Sequence, residues 1–351
     1  MSRLVSSLVL VLAASSLPAV AADWSDESDF RGSYLNEPKD WSGMGDPDDE
    51  VGFEFGMRYW YSMGTQTFGD SRGDVVANSQ THSGEVHLRV DDYASRSYVK
   101  GVAGYSAVIT GDYANPYGKD GDIVDGNITY AGGDFGWNTF GDGEGSGIGL
   151  FAGYQYWNDS PRTMRSNFVT AQSAGDLTVN SDGTINFPGD SSETWLETQS
   201  LRLGISGRAR LGGMFDISGE LAAVPISKVQ GAIASWGNLD TTPLGNPLYV
   251  KTSTTTVDGW GYGAMGEMML GVTPLENLTF RVGGRAWYLT GTYDARYSAA
   301  YITDPVDTDS DGIYNGDADE PPGFSNQSYI ETQNPFSLFR YGLLAELTYA
   351  F

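Results

Sequence analysis

The chain has 351 residues, a formal net charge of −25, 47 glycines, 21 tyrosines, 9 tryptophans and no cysteine. So acidic a balance argues against a nucleic-acid partner, which needs Lys and Arg to meet phosphate. The lack of cysteine in a chain that carries an export signal, described next, excludes a disulfide framework and thiol catalysis.

The first element is an export signal. Arg3 opens a short positive region, Leu4 to Ala14 are apolar apart from Ser6 and Ser7, and Ala19-Val20-Ala21 is a small-x-small cleavage site. Residues 1–21 therefore read as a cleaved signal peptide; the alternative, a membrane anchor, falls short of the ~20 apolar residues needed to span a bilayer. Residues 22–50 are rich in Asp, Glu, Ser, Gly and Pro without strand periodicity, and read as a flexible periplasmic arm. A second reading has this arm entering a barrel lumen on Trp24 and Trp41.

From Val51 onward period-2 alternation marks ten strands: Val51 to Thr65, Ser83 to Asp92, Arg96 to Thr110, Asn127 to Phe140, Ser146 to Asn158, Glu193 to Arg210, Gly213 to Ala234, Lys251 to Val272, Leu278 to Tyr297 and Thr332 to Phe351. The links alternate long and short. Gln66 to His82, Gly111 to Gly126, Asp159 to Ser192, Ser235 to Val250 and Ser298 to Glu331 are long; Tyr93 to Ser95, Gly141 to Gly145, Leu211 to Gly212 and Thr273 to Asn277 are short. Long outer loops and short periplasmic turns are the asymmetry of a bacterial outer-membrane barrel. An even strand number puts both termini on the periplasmic side, although periodicity leaves twelve strands open.

The last strand carries the address for assembly. Phe339, Tyr341, Leu343, Ala345, Leu347, Tyr349 and Phe351 share one face, while Arg340, Glu346 and Thr348 lie on the other. A final aromatic strand is what the barrel assembly machinery reads. No segment after the signal approaches the run of about 18 apolar residues that marks a transmembrane helix. A spanning structure must then be a closed barrel, the other fold that satisfies its backbone in lipid. A soluble two-domain all-β protein would not need apolar residues on the outward face of nearly every strand.

The expected fold is thus all-β, a transmembrane antiparallel up-and-down β-barrel over 51–351, monomeric, in contact with outer-membrane lipid and lipopolysaccharide. Glu54, Glu85, Asp91, Asp216, Glu220, Glu267 and Glu346 fall on inward faces with Arg202, Arg208, Arg210, Arg281 and Arg285, so a charge-paired and plugged lumen is expected.

In the last long loop, Asp307-Thr-Asp309-Ser-Asp311-Gly312 continues to Asn315 and Asp317. Alternating oxygen side chains followed by a turn-forming Gly suit a calcium loop. The run resembles the DxDxDG segments of EF-hand, dockerin and thrombospondin type 3 calcium sites, which implies Asp307, Asp309, Asp311, Asn315 and Asp317 as calcium ligands. It departs from the EF-hand at the twelfth position, where Ala318 replaces a bidentate Glu and Asp317 or Asp319 would have to substitute. A solvated acidic tip is the other reading.

Gly147 to Tyr156, the strand-turn-strand from Met265 through Thr273-Pro274-Leu275-Glu276-Asn277 to Trp287, and the ending Tyr341 to Phe351 resemble the omptins, a family of ten-stranded outer-membrane proteases. The resemblance implies an acidic pair in the second outer loop and an Asp-x-His pair in the fourth. Asp125 matches the first pair, within Gly121-Asp122-Ile123-Val124-Asp125-Gly126-Asn127, but Asn127 stands where the second acid belongs. The fourth loop has Asp240 and no histidine. Since His is the side chain whose ordinary pKa suits a neutral-pH base, that departure removes the family's general base.

The chain has two histidines. His87 shares an inward face with Glu85, Arg89 and Asp91 and reads as a luminal network member; His82, with Asp122 or Asp125, is the remaining catalytic candidate. The sequence therefore points to a structural or recognition role at the surface of a Gram-negative cell. An omptin-like endopeptidase or a lipid A hydrolase is the alternative, and a narrow channel the second.

Overall fold

In a computed structural model the described residues are 51–70, 73–92, 95–114, 120–141, 147–163, 166–211, 214–233, 248–275, 277–315 and 319–351. The expected signal peptide and N-terminal arm, residues 1–50, lie outside them. Ten long strands form the wall: β1 (Val51–Asp70), β2 (Gly73–Asp92), β3 (Ser97–Ala114), β4 (Gly126–Gly141), β5 (Gly147–Pro161), β6 (Trp195–Arg210), β7 (Phe215–Ile233), β8 (Thr255–Leu275), β9 (Leu278–Ile302) and β10 (Phe324–Ala350). Each pairs antiparallel with its neighbours in sequence, and β10 closes the ring on β1. The ring is sealed at the turn end where Phe53 and Phe351 exchange backbone hydrogen bonds of 3.0 and 2.9 Å and stack their rings.

Alternation sets the outer face. Phe53, Phe55, Met57 and Tyr59 on β1, Leu201, Leu203 and Ile205 on β6, and Phe339, Tyr341 and Leu343 on β10 are exposed, although most are large and apolar. Tyr59, Tyr105, Tyr262, Tyr288, Phe339 and Tyr341 mark one aromatic girdle, and Phe53, Trp137, Phe215, Phe280 and Tyr349 mark another nearer the turns. Two such belts bounding an apolar band are the signature of a wall that meets lipid.

Beyond the upper girdle the pattern inverts. On β1 and β2, Phe68, Val75 and Ala77 turn inward and are buried, while Asn78 and Gln80 face out. This is why the expected long loop Gln66 to His82 is instead a continuation of the hairpin, paired as far as Asp70 and Gly73. The last expected loop likewise shrinks, because β9 and β10 remain paired up to Ile302 and Phe324. The inward apolar residues build a core inside the loop half of the barrel, including Trp60, Tyr130, Trp157, Trp287, Leu289, Phe336 and Leu338.

Large inward side chains have glycines as cross-strand partners. His87 faces Gly56, Arg340 faces Gly64, Tyr130 faces Gly104 and Tyr98 faces Gly136. A methyl group at any of these glycines would sit 2.1 to 2.6 Å from the opposing side chain. The abundance of glycine thus makes room for rings and guanidinium groups inside a narrow barrel.

Outside the ring, Leu248–Lys251 adds a third strand to the loop end of β9. One face of this small sheet, with Val250, Ala300 and Ile302, is buried together with Val169 and Ala171 from the loop after β5.

Candidate functional site

The turn half of the lumen is filled with ions. Its acids are Glu54, Glu85, Asp91, Asp134, Asp216, Glu220, Glu267 and Glu346; its bases are Arg58, Arg89, Lys100, Arg202, Arg208, Arg281 and Arg285. Glu346 on β10 lies between Arg58 of β1 and Arg281 of β9, the latter at 2.7 Å. Other pairs cross the lumen. Arg285 reaches Glu85 of β2 at 2.6 Å while also holding Glu267 of the adjacent β8 at 2.7 Å, and Lys100 on β3 meets Glu220 on β7. Charges removed from water must be paired in this way, because an isolated one would be prohibitively costly. The seven acids expected to face inward do so, together with Asp134. Four of the five expected arginines do as well, whereas Arg210, the last residue of β6 at the turn end, is exposed rather than inside the lumen.

His87 lies inside this network. Its Nε2 is 3.3 Å from Glu54 and its Nδ1 is 4.0 Å from Glu346. These three residues bring potential metal-ligand atoms within 4.8 Å of one another, yet both carboxylates are already engaged by arginines. Arg281 lies 3.7 Å from Glu54, and Arg58 and Arg281 hold Glu346. The arrangement is that of a charge-balanced plug.

Among the described residues, small cavities of about 60 and 40 Å³ lie between these groups. Above them the aromatic cluster closes the section: Tyr130 stacks on Trp157 at 4.3 Å, and Trp157 touches Trp60 at 5.7 Å and Trp287 at 5.0 Å. Spaces of this size hold one or a few waters.

The hydrolytic candidates do not come together. His82 points out of the barrel wall, its Nδ1 hydrogen-bonded to the Tyr59 hydroxyl and its ring 5.1 Å from that of Tyr61. On the adjacent strand its partner is Val108, and Asp122 pairs with Asp112 four residues further along. The histidine and Asp122 are therefore separated by roughly 13 Å along the strand and about 10 Å across. Asp125 is bound to Arg162 at 2.7 Å. Asp240 lies outside the described residues.

The acidic loop does assemble. Asp307, Asp309 and Asp311 place carboxylate oxygens within 4.8 Å of one another. Asp307 accepts from the amides of Ser310 and Gly312 at 2.7 and 2.9 Å, Asp309 from Asp311 at 3.2 Å, and Asp311 from Ile313 at 2.7 Å. Ser310 and Gly312 take positive φ angles of 60° and 80° to turn the chain around them. The Gly312 amide lowers the Asp307 pKa. The amide of Asp311 acts the same way on Asp309, but desolvation and the neighbouring carboxylates, Asp311 foremost, outweigh it and raise that pKa. Asn315 joins through its main chain, its amide donating to Asp319 Oδ2 at 2.8 Å. Asp319, which the sequence offers only as a substitute for the twelfth-position Glu, ties both ends of the loop, accepting also from the Thr308 amide at 2.8 Å. Asp317 lies outside the described residues.

No protein-family model matches the chain, and no curated protein is similar to it in sequence. Among solved structures it is similar to the outer-membrane protease OmpT of Escherichia coli, at 10% identity and a TM-score of 0.50 over 88% of this chain and 99% of that one. The translocator domain of the autotransporter NalP of Neisseria meningitidis matches at 8% identity and a TM-score of 0.35, over 95% and 99% of the two chains. The OmpT likeness is one of fold. With the closed ten-strand ring and two aromatic girdles, it makes the chain an outer-membrane β-barrel of omptin-like architecture.

Proposed function

We propose that the protein is a non-conducting outer-membrane barrel with a structural or recognition role at the cell surface, and that its last outer loop is held in shape by calcium. The observation that carries this reading is the filling of the lumen by the described residues: an ionic layer and an aromatic layer, with cavities of only about 60 and 40 Å³ among them, argue against passage of a diffusing solute. The barrel inserts through its C-terminal strand with the help of the assembly machinery, contacts lipid and lipopolysaccharide, and works as a monomer. Asp307, Asp309 and Asp311 supply the first calcium ligands, and Asn315 and Asp317 complete the set. The mutual repulsion of the first three is what a divalent cation would relieve.

Refolded protein in planar bilayers tests the first part. The expected record is flat, and steady single-channel steps would make the protein a channel instead. Calorimetric titration with calcium chloride tests the second part: the expected binding is weakened at least tenfold by Asp309→Asn combined with Asp311→Asn. No heat of binding from the folded wild type would leave a solvated acidic tip as the correct description.

A further inference from the structure

The outer sheet made by Leu248–Lys251 and the loop ends of β9 and β10 has one face that is buried at Val250, Ala300 and Ile302 and an opposite, open face that carries exposed tyrosines. Pairing places Tyr249 opposite Tyr301, Lys251 opposite Ala299, and Tyr297 opposite Tyr329, so all six residues share the open face. Tyr297 and Tyr329 stack at 5.4 Å with 15° between their planes. Tyr249 meets Tyr329 edge-on at 6.3 Å across the small Ala299, which the rings cover. Tyr249 and Tyr301 remain 54% and 48% exposed.

This position is far from lipid. Tyr288 belongs to the upper girdle, and Tyr301 lies thirteen residues further along the same strand. At about 3.3 Å per residue and a tilt near 40°, the platform stands roughly 30 Å beyond the membrane boundary. Exposed aromatic rings there have no acyl chains to cover them, and clusters of this kind mark interaction surfaces.

The chemistry of the face selects its partner. Although the chain as a whole is strongly acidic, the ionic groups that pairing puts on this face among the described residues are one of each sign. Lys251 is buried there, and Glu331 accepts from the Tyr297 hydroxyl at 3.1 Å. What reaches solvent is phenol, amide and hydroxyl: Tyr249, Tyr301, Ser325, Gln327 and the edge of Tyr329, whose own hydroxyl donates to Gln327 at 3.1 Å. A cationic partner has no net negative charge to meet here, and an anionic one would be repelled by the surrounding loops. Flat rings with amides and hydroxyls beside them suit the C–H faces and hydroxyl edges of sugar rings.

We infer that the Tyr249–Tyr301–Tyr329 face binds a neutral glycan. The inference rests on the recognition role proposed above and names its ligand class. The test is native affinity electrophoresis of the refolded full-length protein through gels containing dextran, mannan or laminarin. At least one polymer should retard the wild type. Tyr249→Ala with Tyr301→Ala should weaken retardation tenfold or more, while Tyr301→Phe, which keeps the stacking ring, should retain it. Folding of each variant is checked by heat-modifiable gel mobility. Retardation that is absent for all three polymers, or unchanged in the double alanine variant, would overturn the inference. So would a dimer in the wild type that the same double variant dissociates, since the face would then belong to a second copy. The conductance and calcium measurements report on the underlying reading separately, so a flat bilayer record and bound calcium without glycan binding would remove only this inference.

Discussion

Arg340 on β10 and Asp159 on β5 meet across the full width of the barrel, with guanidinium Nη2 2.9 Å from Oδ2. The two strands are diametrically opposed in a ring of ten. Both side chains are buried within the apolar half of the lumen, and the hydroxyls of Ser62, Thr81 and Ser79 accept from Nη1 and Nη2 of the guanidinium at 2.9 to 3.3 Å. Truncating one member of a buried pair strands the other. Arg340→Met should therefore cost about 3–5 kcal/mol. Urea unfolding in lipid vesicles should show this loss, and the double variant Arg340→Met with Asp159→Leu should recover much of it. Equal losses in the single and double variants would mean that the pair does not couple the two walls.

The glycines opposite inward rings make a second, independent prediction. At Gly136 an added methyl would lie 2.1 Å from the Tyr98 ring, whose hydroxyl is hydrogen-bonded to Ser206 at 2.9 Å and whose face carries the Arg89 guanidinium at 3.7 Å. That ring has little freedom to retreat. Gly136→Ala should destabilise the barrel by about 1–3 kcal/mol, as overpacking does. Gly84, where an added methyl would meet nothing within 4 Å, is the control. Its alanine variant should unfold close to the wild-type urea midpoint.

The contrast between these two glycines shows how far the sequence could be read. Alternation placed all ten strands and assigned Glu85, Glu267 and Arg285 to the inner wall, because side-chain period and lipid contact both act locally. The same rule failed between Gln66 and His82. There Phe68, Val75 and Ala77 point inward as in a soluble protein, and a reading that seeks apolar residues outside sees no strand. Partners across the lumen were equally hidden. Nothing local links Arg340 to Asp159, 181 positions away, or tells a glycine that receives a ring from one that faces lipid. The acidic loop was legible as a loop and as a cluster, whereas Asp319, which clasps it, lies outside the DxDxDG spacing.

His82 provides a functional prediction. Its Nδ1 is engaged by Tyr59 and its ring lies against Tyr61 on the outside of the wall, so it belongs to the girdle region and meets neither Asp122 nor Asp125. His82→Ala should change stability by about 0.5 kcal/mol or less, as surface substitutions commonly do. Incubation of wild type and variant with a quenched peptide library, in lipopolysaccharide, should give indistinguishable traces. Peptide cleavage that disappears in the variant would place a hydrolytic site at the first hairpin and reverse the functional reading.

The loop that supports the outer sheet should respond to acid. Asp176 Oδ2 accepts from the amides of Gln172 and Ser173 at 2.7 and 2.9 Å, closing a turn over Ala174–Asp176. Those two amides hold the Asp176 pKa below its ordinary value. A depressed carboxylate stabilises the fold above its unfolded pKa, near 3.9, and that contribution disappears as the pH falls through the lower folded value. The turn should therefore be fully formed at neutral pH and at pH 5, and open only below the ordinary aspartate range. Val169 and Ala171, just before the turn, pack with Val250, Ala300 and Ile302, so opening should loosen the sheet behind the tyrosine face. Hydrogen exchange of 166–192 measured from pH 7 to pH 3 should show faster opening only at the acid end, after correction for intrinsic rates. Asp176→Asn should show the faster opening at every pH. Equal protection in the variant and the wild type at pH 7 would mean that the carboxylate does not hold this turn.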